Sequence, residues 1–206
     1  MLDGILKPHV DPLLDAAAAF VARRGIGADA VSFAGAACGL ACALAVCGGY
    51  FALAMVLLAA NRFCDGLDGA VARRNGITDR GGFLDIVFDF LFFGACPLAF
   101  ALHDPGKNAL AAAVLLASFY ANGASFLAFA AIAAKRRMET RARGLKSLYF
   151  TTGLAEGTET ILFFLAMLVW PAQFPLLAYV FAGLCAITCA SRIALACRAF
   201  AVDERG

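Results

Sequence analysis

Six apolar stretches dominate this 206-residue chain. They run roughly 30–49, 50–72, 82–102, 108–134, 147–169 and 175–198. Each has about 20 residues or more, which as an α-helix crosses the roughly 30 Å hydrocarbon layer of a bilayer. No water reaches that layer, so the backbone must satisfy its own hydrogen bonds, and helices do so segment by segment. Only 16% of residues are charged, 63% are apolar, and the mean hydropathy is +0.82. A soluble domain of this length lacks the interior to hide that much apolar surface. The expectation is an all-α integral membrane protein. Residues 1–206 form one domain, with a bundle of six transmembrane helices over 30–198.

The expected breaks are Gly48-Gly49, the charged 73–81 stretch, "HDPGKN" at 103–108, the basic 135–146 stretch and "WPAQFP" at 170–175. Ahead of the first span, Asp11-Pro12 has the form of a helix cap followed by proline at the first helical position. Val10, Leu13, Leu14, Ala17, Phe20 and Val21 follow at helical spacing, and Arg23-Arg24-Gly25 closes the segment. This segment is too short to span, so residues 10–25 are expected to form an amphipathic helix on the membrane surface. No basic region with a small-residue cleavage site opens the chain, so no cleaved signal peptide is expected.

Basic residues divide the loops into two sets. Lys7, Arg23 and Arg24 precede the first span, and Arg73, Arg74 and Arg80 follow the second. Lys135, Arg136, Arg137, Arg141, Arg143 and Lys146 follow the fourth, and Arg198 and Arg205 the sixth. The opposite loops carry Lys107 alone. The positive-inside rule then puts both termini, and the loops after spans two and four, in the cytoplasm. A net charge of +2 gives no electrostatic case for a nucleic-acid partner. The eight cysteines mostly lie inside apolar runs with no CxxC pair, so they are expected to be small core residues rather than metal ligands.

Against this background, residues 61–90 stand out: "NRFCDGLDGAVARRNGITDRGGFLDIVFDF". Asp65 and Asp68 are spaced i,i+3 near the cytoplasmic end of the second span; Asp85 and Asp89 are spaced i,i+4 in the first turns of the third. Each pair shares one helix face, and consecutive antiparallel helices bring two such faces together. Glu156, Glu159 and Arg192 fall in the same half of the bundle by this topology. Ionisable groups at membrane depth are costly and usually face a polar cavity. Four carboxylates facing one cavity repel one another unless protons or cations neutralise them. All-oxygen donors favour a hard cation such as Mg²⁺ or Mn²⁺, and two divalent ions balance four aspartates. Asn61, one turn before Asp65, is a possible supporting partner or a packing residue.

"DGLDGAVAR" followed by "GGFLDIVFD" resembles the signature of the CDP-alcohol phosphotransferases, D-x-x-D-G-x-x-A-R and then G-x-x-x-D-x-x-x-D. Asp65, Asp68, Gly69, Ala72, Arg73, Gly81, Asp85 and Asp89 fill the eight fixed positions over 25 residues. The gap from Arg73 to Gly81 is seven residues where the family usually has eight, which implies a slightly shorter loop. The six-span pattern and surface helix also resemble the family, and "GLAEGTETI" is similar to a bacterial inner-membrane branch of it.

The resemblance implies transfer of a phosphatidyl group from CDP-diacylglycerol to a small alcohol, with release of CMP, in phospholipid biosynthesis. It implies that Asp65, Asp68 and Asp85 ligate two divalent ions, Mg²⁺ or Mn²⁺. Asp89 would be the general base on the acceptor hydroxyl and a second-site ligand. Gly69, Ala72, Arg73 and Gly81 would line the CDP pocket. Asp29 and Ser32, in "GADAVS", would stand where the family has a Thr-Pro-Asn-like element, although the proline is missing. The resemblance further implies an inner-membrane homodimer with a cytoplasmic active site, in contact with membrane lipids. The small-residue stretches "GAACG", "GACP" and "NGAS" suit helix packing or such a dimer.

The acceptor is not specified by the signature. Lys135, Arg136 and Arg192 are candidates to hold an acceptor phosphate. Lys135 and Arg136 equally suit a plain positive-inside loop on anionic headgroups. Arg192 equally suits an intramembrane ion pair with Glu156 or Glu159, and those glutamates alternatively line an acceptor pocket. Three other readings compete: a CDP-alcohol donor with a lipid acceptor, a cation or small-solute transporter, and a non-catalytic member. A transport path needs polar groups continuing to the far side of the membrane, and here they stop in one half.

Overall fold

Between residues 28 and 135 the chain runs as four helices joined by turns of three residues or fewer. The computed structural model describes residues 3–136 and 157–201. Its helices are α1 (Asp3–Arg23), α2 (Ala28–Cys47), α3 (Phe51–Asn75), α4 (Asp79–His103), α5 (Pro105–Lys135), α6 (Gly157–Val169) and α7 (Phe174–Ala201). A single 3₁₀ turn, Pro171–Gln173, joins the last two. No strand occurs among the described residues.

The turns follow from local chemistry. At Gly49, φ is +77°, a left-handed conformation that costs glycine nothing. The following amide of Tyr50 reaches back to Ala45 O at 2.8 Å and closes the end of α2. Gly76, with φ +105°, ends α3, its own amide donating to Ala72 O at 2.9 Å. Thr78 then caps α4, its Oγ1 accepting from the Gly81 amide at 3.1 Å. Asp104 caps α5 by accepting from the Lys107 amide at 3.2 Å, with Pro105 at the first helical position.

Among the described residues, four helices are long and apolar enough to cross a membrane: Ala28–Cys47, Asp79–His103, Pro105–Lys135 and the stretch Pro171–Ala201. The expected six spans are therefore met in four cases. Helix α3 has the length, but Arg62, Asp65, Asp68, Arg73 and Arg74 make it too polar for the same criterion. Only 13 residues of α6 are described, and the first part of the expected 147–169 span lies outside the described residues, as does most of the basic 135–146 stretch. Two boundaries need correction. The break expected over 103–108 shrinks to Asp104, because its cap and Pro105 start α5 at once. Helix α1 starts at Asp3 rather than near residue 10, and includes Pro8 and Pro12. Leu6, Val10 and Leu14 lie four residues apart, so the apolar stripe runs through both prolines.

Two clusters make the core. The larger is built from α2, α3, α4, α5, α6 and α7 and is rich in phenylalanine: Phe92, Phe100, Phe164, Phe174 and Phe181 are all buried. Phe100 and Phe174 stack at 4.3 Å, and Phe92 meets Phe164 edge-on at 5.6 Å. The smaller cluster seats α1 on α3 through Leu14, Ala18, Val31, Leu67, Ala70 and Val71. Leu14 lies over Gly66, where an added Cβ would come within 2.8 Å of it. Small residues elsewhere also serve packing inside the chain: Gly35 admits Cys64, and Gly39 admits Phe92 and Asn61. Among the cysteines, Cys42, Cys96 and Cys185 are buried, the other five are partly or fully exposed, and all eight are free. The expectation of buried cysteines thus holds for three, and Cys47 and Cys64 are partly buried against the two clusters.

Candidate active site

Helix α3 enters the site with Asn61, Arg62, Asp65 and Asp68 within two turns, and α4 supplies Asp85, Phe88 and Asp89. Helix α2 closes the third side with Ser32, Gly35 and Ala36. Together they line one pocket. The two aspartate pairs, on successive helices, thus share a cavity. Every pairing among the four carboxylates is close enough for direct electrostatic repulsion. Asp68 is buried; Asp65 and Asp89 are half-buried, and Asp85 is exposed at the rim.

Hydrogen bonds hold this arrangement. Ser32 Oγ on α2 donates to Asp68 Oδ2 at 2.5 Å. Asn61 Nδ2 donates to Gly35 O at 2.8 Å, which ties α3 to α2. The Arg62 guanidinium enters the cavity itself: Nε donates to Asn61 Oδ1 at 2.8 Å, Nη2 to Asp89 Oδ1 at 2.9 Å, and Nη1 lies 3.4 Å from Asp65 Oδ2. Arg62 and Asp89 therefore join α3 to α4 across the pocket.

The other residues singled out in the sequence fall around this centre. Asp29 pairs with Arg80, so the start of α2 is tied to the start of α4. Gly81 lies beside them; an added Cβ would sit 3.2 Å from Thr78 Oγ1 and 3.7 Å from Asp29 Oδ1. Further along α3, Gly69 has open space except for the Arg73 guanidinium, 3.7 Å from where a Cβ would be. Ala72 is half-buried beside them. Arg73 Nη2 also lies 3.8 Å from Asp15 Oδ1 of α1, and Arg74 donates to Asp15 O at 3.1 Å. The arginines at the end of α3 thus grip the surface helix.

The residues proposed for an acceptor group differently. Arg192, on α7, donates to Asn122 O and Oδ1 and to Ser125 Oγ of α5, at 2.8–3.0 Å. Arg136 donates to Phe200 O at 3.0 Å and lies over the Phe200 ring, joining the same ends of α5 and α7. Lys135 is exposed at the end of α5, and Glu159 is in the first turn of α6. Glu156 lies outside the described residues.

Arg62 is the charged pocket residue that the signature does not supply. The rule for charges inside apolar segments applies to it as much as to the aspartates, and its i,i+3 spacing to Asp65 puts it on their face. It fills no fixed position of the signature, which is carried by the acids around it. Among the described residues no three ligating side chains close around a common point, and Arg62 draws Asp65 and Asp89 toward itself. The donor chemistry nonetheless fits a hard divalent cation: four carboxylates, all oxygen, with one positive charge among them.

A family model described as CDP-alcohol phosphatidyltransferase matches residues 26–194. The chain belongs to the CDP-alcohol phosphatidyltransferase family. That match runs from the start of α2 into α7 and includes all four aspartates. Membership implies transfer of a phosphatidyl group. Inner membrane protein YnjF of Escherichia coli (strain K12) is 44% identical over 193 residues, which cover 94% of each chain. No solved structure matches the chain.

Proposed function

We propose that this chain is a divalent-cation-dependent phosphatidyltransferase of the inner membrane. It would use CDP-diacylglycerol and a small alcohol, release CMP and make a phospholipid. The observation that carries this is the convergence of Asp65, Asp68, Asp85 and Asp89, all four signature acids, on one pocket between α3 and α4. Asp65, Asp68 and Asp85 would hold two divalent ions, Mg²⁺ or Mn²⁺. Bound there, the ions supply charge stabilisation to the diphosphate as CMP leaves.

The chain's own residues do the rest. Asp89 takes the proton of the acceptor hydroxyl as its oxygen attacks the lipid-side phosphorus. The bond from that phosphorus to the bridging oxygen breaks, and CMP carries the electron pair away. Ser32 holds Asp68 in place. Gly69 leaves the backbone open for close approach of the nucleotide, and Arg73 beside it offers donors to phosphate. The diphosphate end of the donor would sit among the four aspartates, with the cytidine and the acyl chains extending beyond the pocket. The positive-inside pattern puts this end of the bundle in the cytoplasm, where the water-soluble nucleotide is released. Arg192 with Asn122 and Ser125 is the polar cluster on later helices best suited to an acceptor. A homodimer, as the family usually forms, belongs to the same reading.

Transport fits less well. Behind the pocket, Phe92, Phe164, Phe100 and Phe174 fill the bundle in contact with one another or with neighbouring rings. That packing opposes a polar path to the far side. The deciding experiment is CMP release by purified protein in detergent with CDP-diacylglycerol and Mg²⁺ or Mn²⁺. A panel of glycerol-3-phosphate, inositol, inositol phosphate, serine and choline serves as acceptors, with Asp68→Ala as control. Metal-dependent release with one alcohol establishes the activity and names the acceptor. Absence of both release and CDP-lipid binding overturns the proposal.

A further inference from the structure

Arg62 brings a positive charge into a cavity built for cations, and the chain fixes it there. Its side chain is 22% exposed. Nε is held by Asn61 Oδ1 at 2.8 Å, and Asn61 is itself held by Gly35 O on α2 at 2.8 Å. The two terminal nitrogens face carboxylates on different helices, Asp65 at 3.4 Å and Asp89 at 2.9 Å. The guanidinium carbon lies 5.8 Å from the centre of the Phe92 ring, which is buried. A planar fork serves two carboxylates at once, which a lysine ammonium on a flexible stem does not.

We propose that Arg62 is a built-in counter-cation that competes with divalent cations for Asp65 and Asp89. The inference rests on the divalent-cation reading of the four aspartates. Each carboxylate oxygen engaged by the guanidinium is one less for a metal, and a positive charge this close opposes entry of another. The anchor through Asn61 means that Arg62 does not leave at no cost. The substrate-free pocket therefore takes divalent cations weakly. A diphosphate, which brings its own negative charge, tips the balance. Arg62 thus acts as a positioning residue that couples cation loading to arrival of the nucleotide.

The test is the affinity of substrate-free protein in detergent for Mn²⁺, read from the paramagnetic resonance signal of free Mn²⁺. A neighbouring unit charge moves proton affinity by about one to three log units, so Arg62→Gln is expected to bind Mn²⁺ roughly tenfold tighter or more. Arg62→Lys keeps the charge and is expected to stay much nearer wild type. Equal or weaker binding by folded Arg62→Gln overturns the proposal. A second measurement needs no variant: phenylglyoxal labelling of the wild-type chain, read at Arg62 by peptide mass spectrometry. Mn²⁺ is expected to raise labelling several-fold over a chelator control, and unchanged labelling overturns the proposal. Mn²⁺ binding that Asp68→Ala abolishes but Arg62→Gln leaves unchanged overturns this inference alone. No Mn²⁺ binding by the wild type overturns it together with the divalent-cation reading.

Discussion

Ser32 and Asp68 lie 36 residues apart in sequence, and the Ser32 hydroxyl donates to the Asp68 carboxylate at 2.5 Å, with both residues buried. The contact crosses from α2 to α3, so the helix without acids of its own in the pocket orients one of the four. A hydrogen bond to a charged group contributes about 1.5–3 kcal/mol. If Asp68 must be held to work, Ser32→Ala is expected to lower CMP release about tenfold, which corresponds to about 1.4 kcal/mol of barrier. Wild-type turnover in Ser32→Ala would show that Asp68 is oriented without the hydroxyl.

Asp89 is expected to separate chemistry from binding. It is the last of the four acids along the chain and accepts from Arg62 at 2.9 Å. An amide in its place is nearly the same size but takes no proton from an attacking hydroxyl. A general base typically contributes about 10²–10⁴-fold, so Asp89→Asn is expected to lose at least about a hundredfold in CMP release. Metal-dependent binding of the CDP lipid, followed by equilibrium dialysis of a radiolabelled donor, should persist. Unchanged turnover would remove Asp89 from the role of base.

Much of this was legible in the sequence, for reasons that separate cleanly. Helical periodicity and long apolar runs set α2 to α5 and α7 to within a few residues, because an apolar segment of span length has few other ways to satisfy its backbone. The i,i+3 and i,i+4 spacings put each aspartate pair on one face. The two faces meet because α3 and α4 both pack against α2, an arrangement that spacing within either helix does not specify. The extension of α1 to Asp3 was hidden because Asp11-Pro12 reads as a helix start, although the helix runs through it. Arg62 was hidden for a different reason. Its place inside an apolar run and its i,i+3 spacing to Asp65 set it apart from Arg73 and Arg74, but its contact with Asp89 on α4 shows only in three dimensions. The tie of Asn61 to Gly35 is a side-chain-to-backbone bond, for which sequence spacing carries no signal.

Gly39 connects packing to the site. An added Cβ there would stand 3.0 Å from Phe92 and 3.1 Å from Asn61 Nδ2. Both neighbours are buried and have little room to give. Overpacking of this kind costs about 1–3 kcal/mol. Gly39→Val is therefore expected to lower the melting temperature in detergent. Because Asn61 holds the Nε of Arg62, it should also loosen the pocket and reduce CMP release. A variant that melts and turns over like wild type would mean that α2 shifts away from α3 and α4 without strain.

Arg73 is the residue for which two roles compete, and its partner Asp15 allows them to be separated. The pair is 3.8 Å apart, and each side chain is more than half exposed, at 53% and 54%. Ion pairs of that kind contribute about 0–1 kcal/mol. If Arg73 only tethers α1, then Asp15→Asn and Arg73→Gln should have similar small effects on CMP release, within a few-fold of wild type. If its guanidinium serves the diphosphate, Arg73→Gln removes a charge-assisted contact that Asp15→Asn leaves intact. Such bonds contribute about 1.5–3 kcal/mol, and the loss would then exceed about tenfold. The position beside Gly69, on the open face next to Asp68, favours the second outcome: Asp15→Asn near wild type and Arg73→Gln strongly impaired. Equal effects of the two substitutions would return Arg73 to the tether alone.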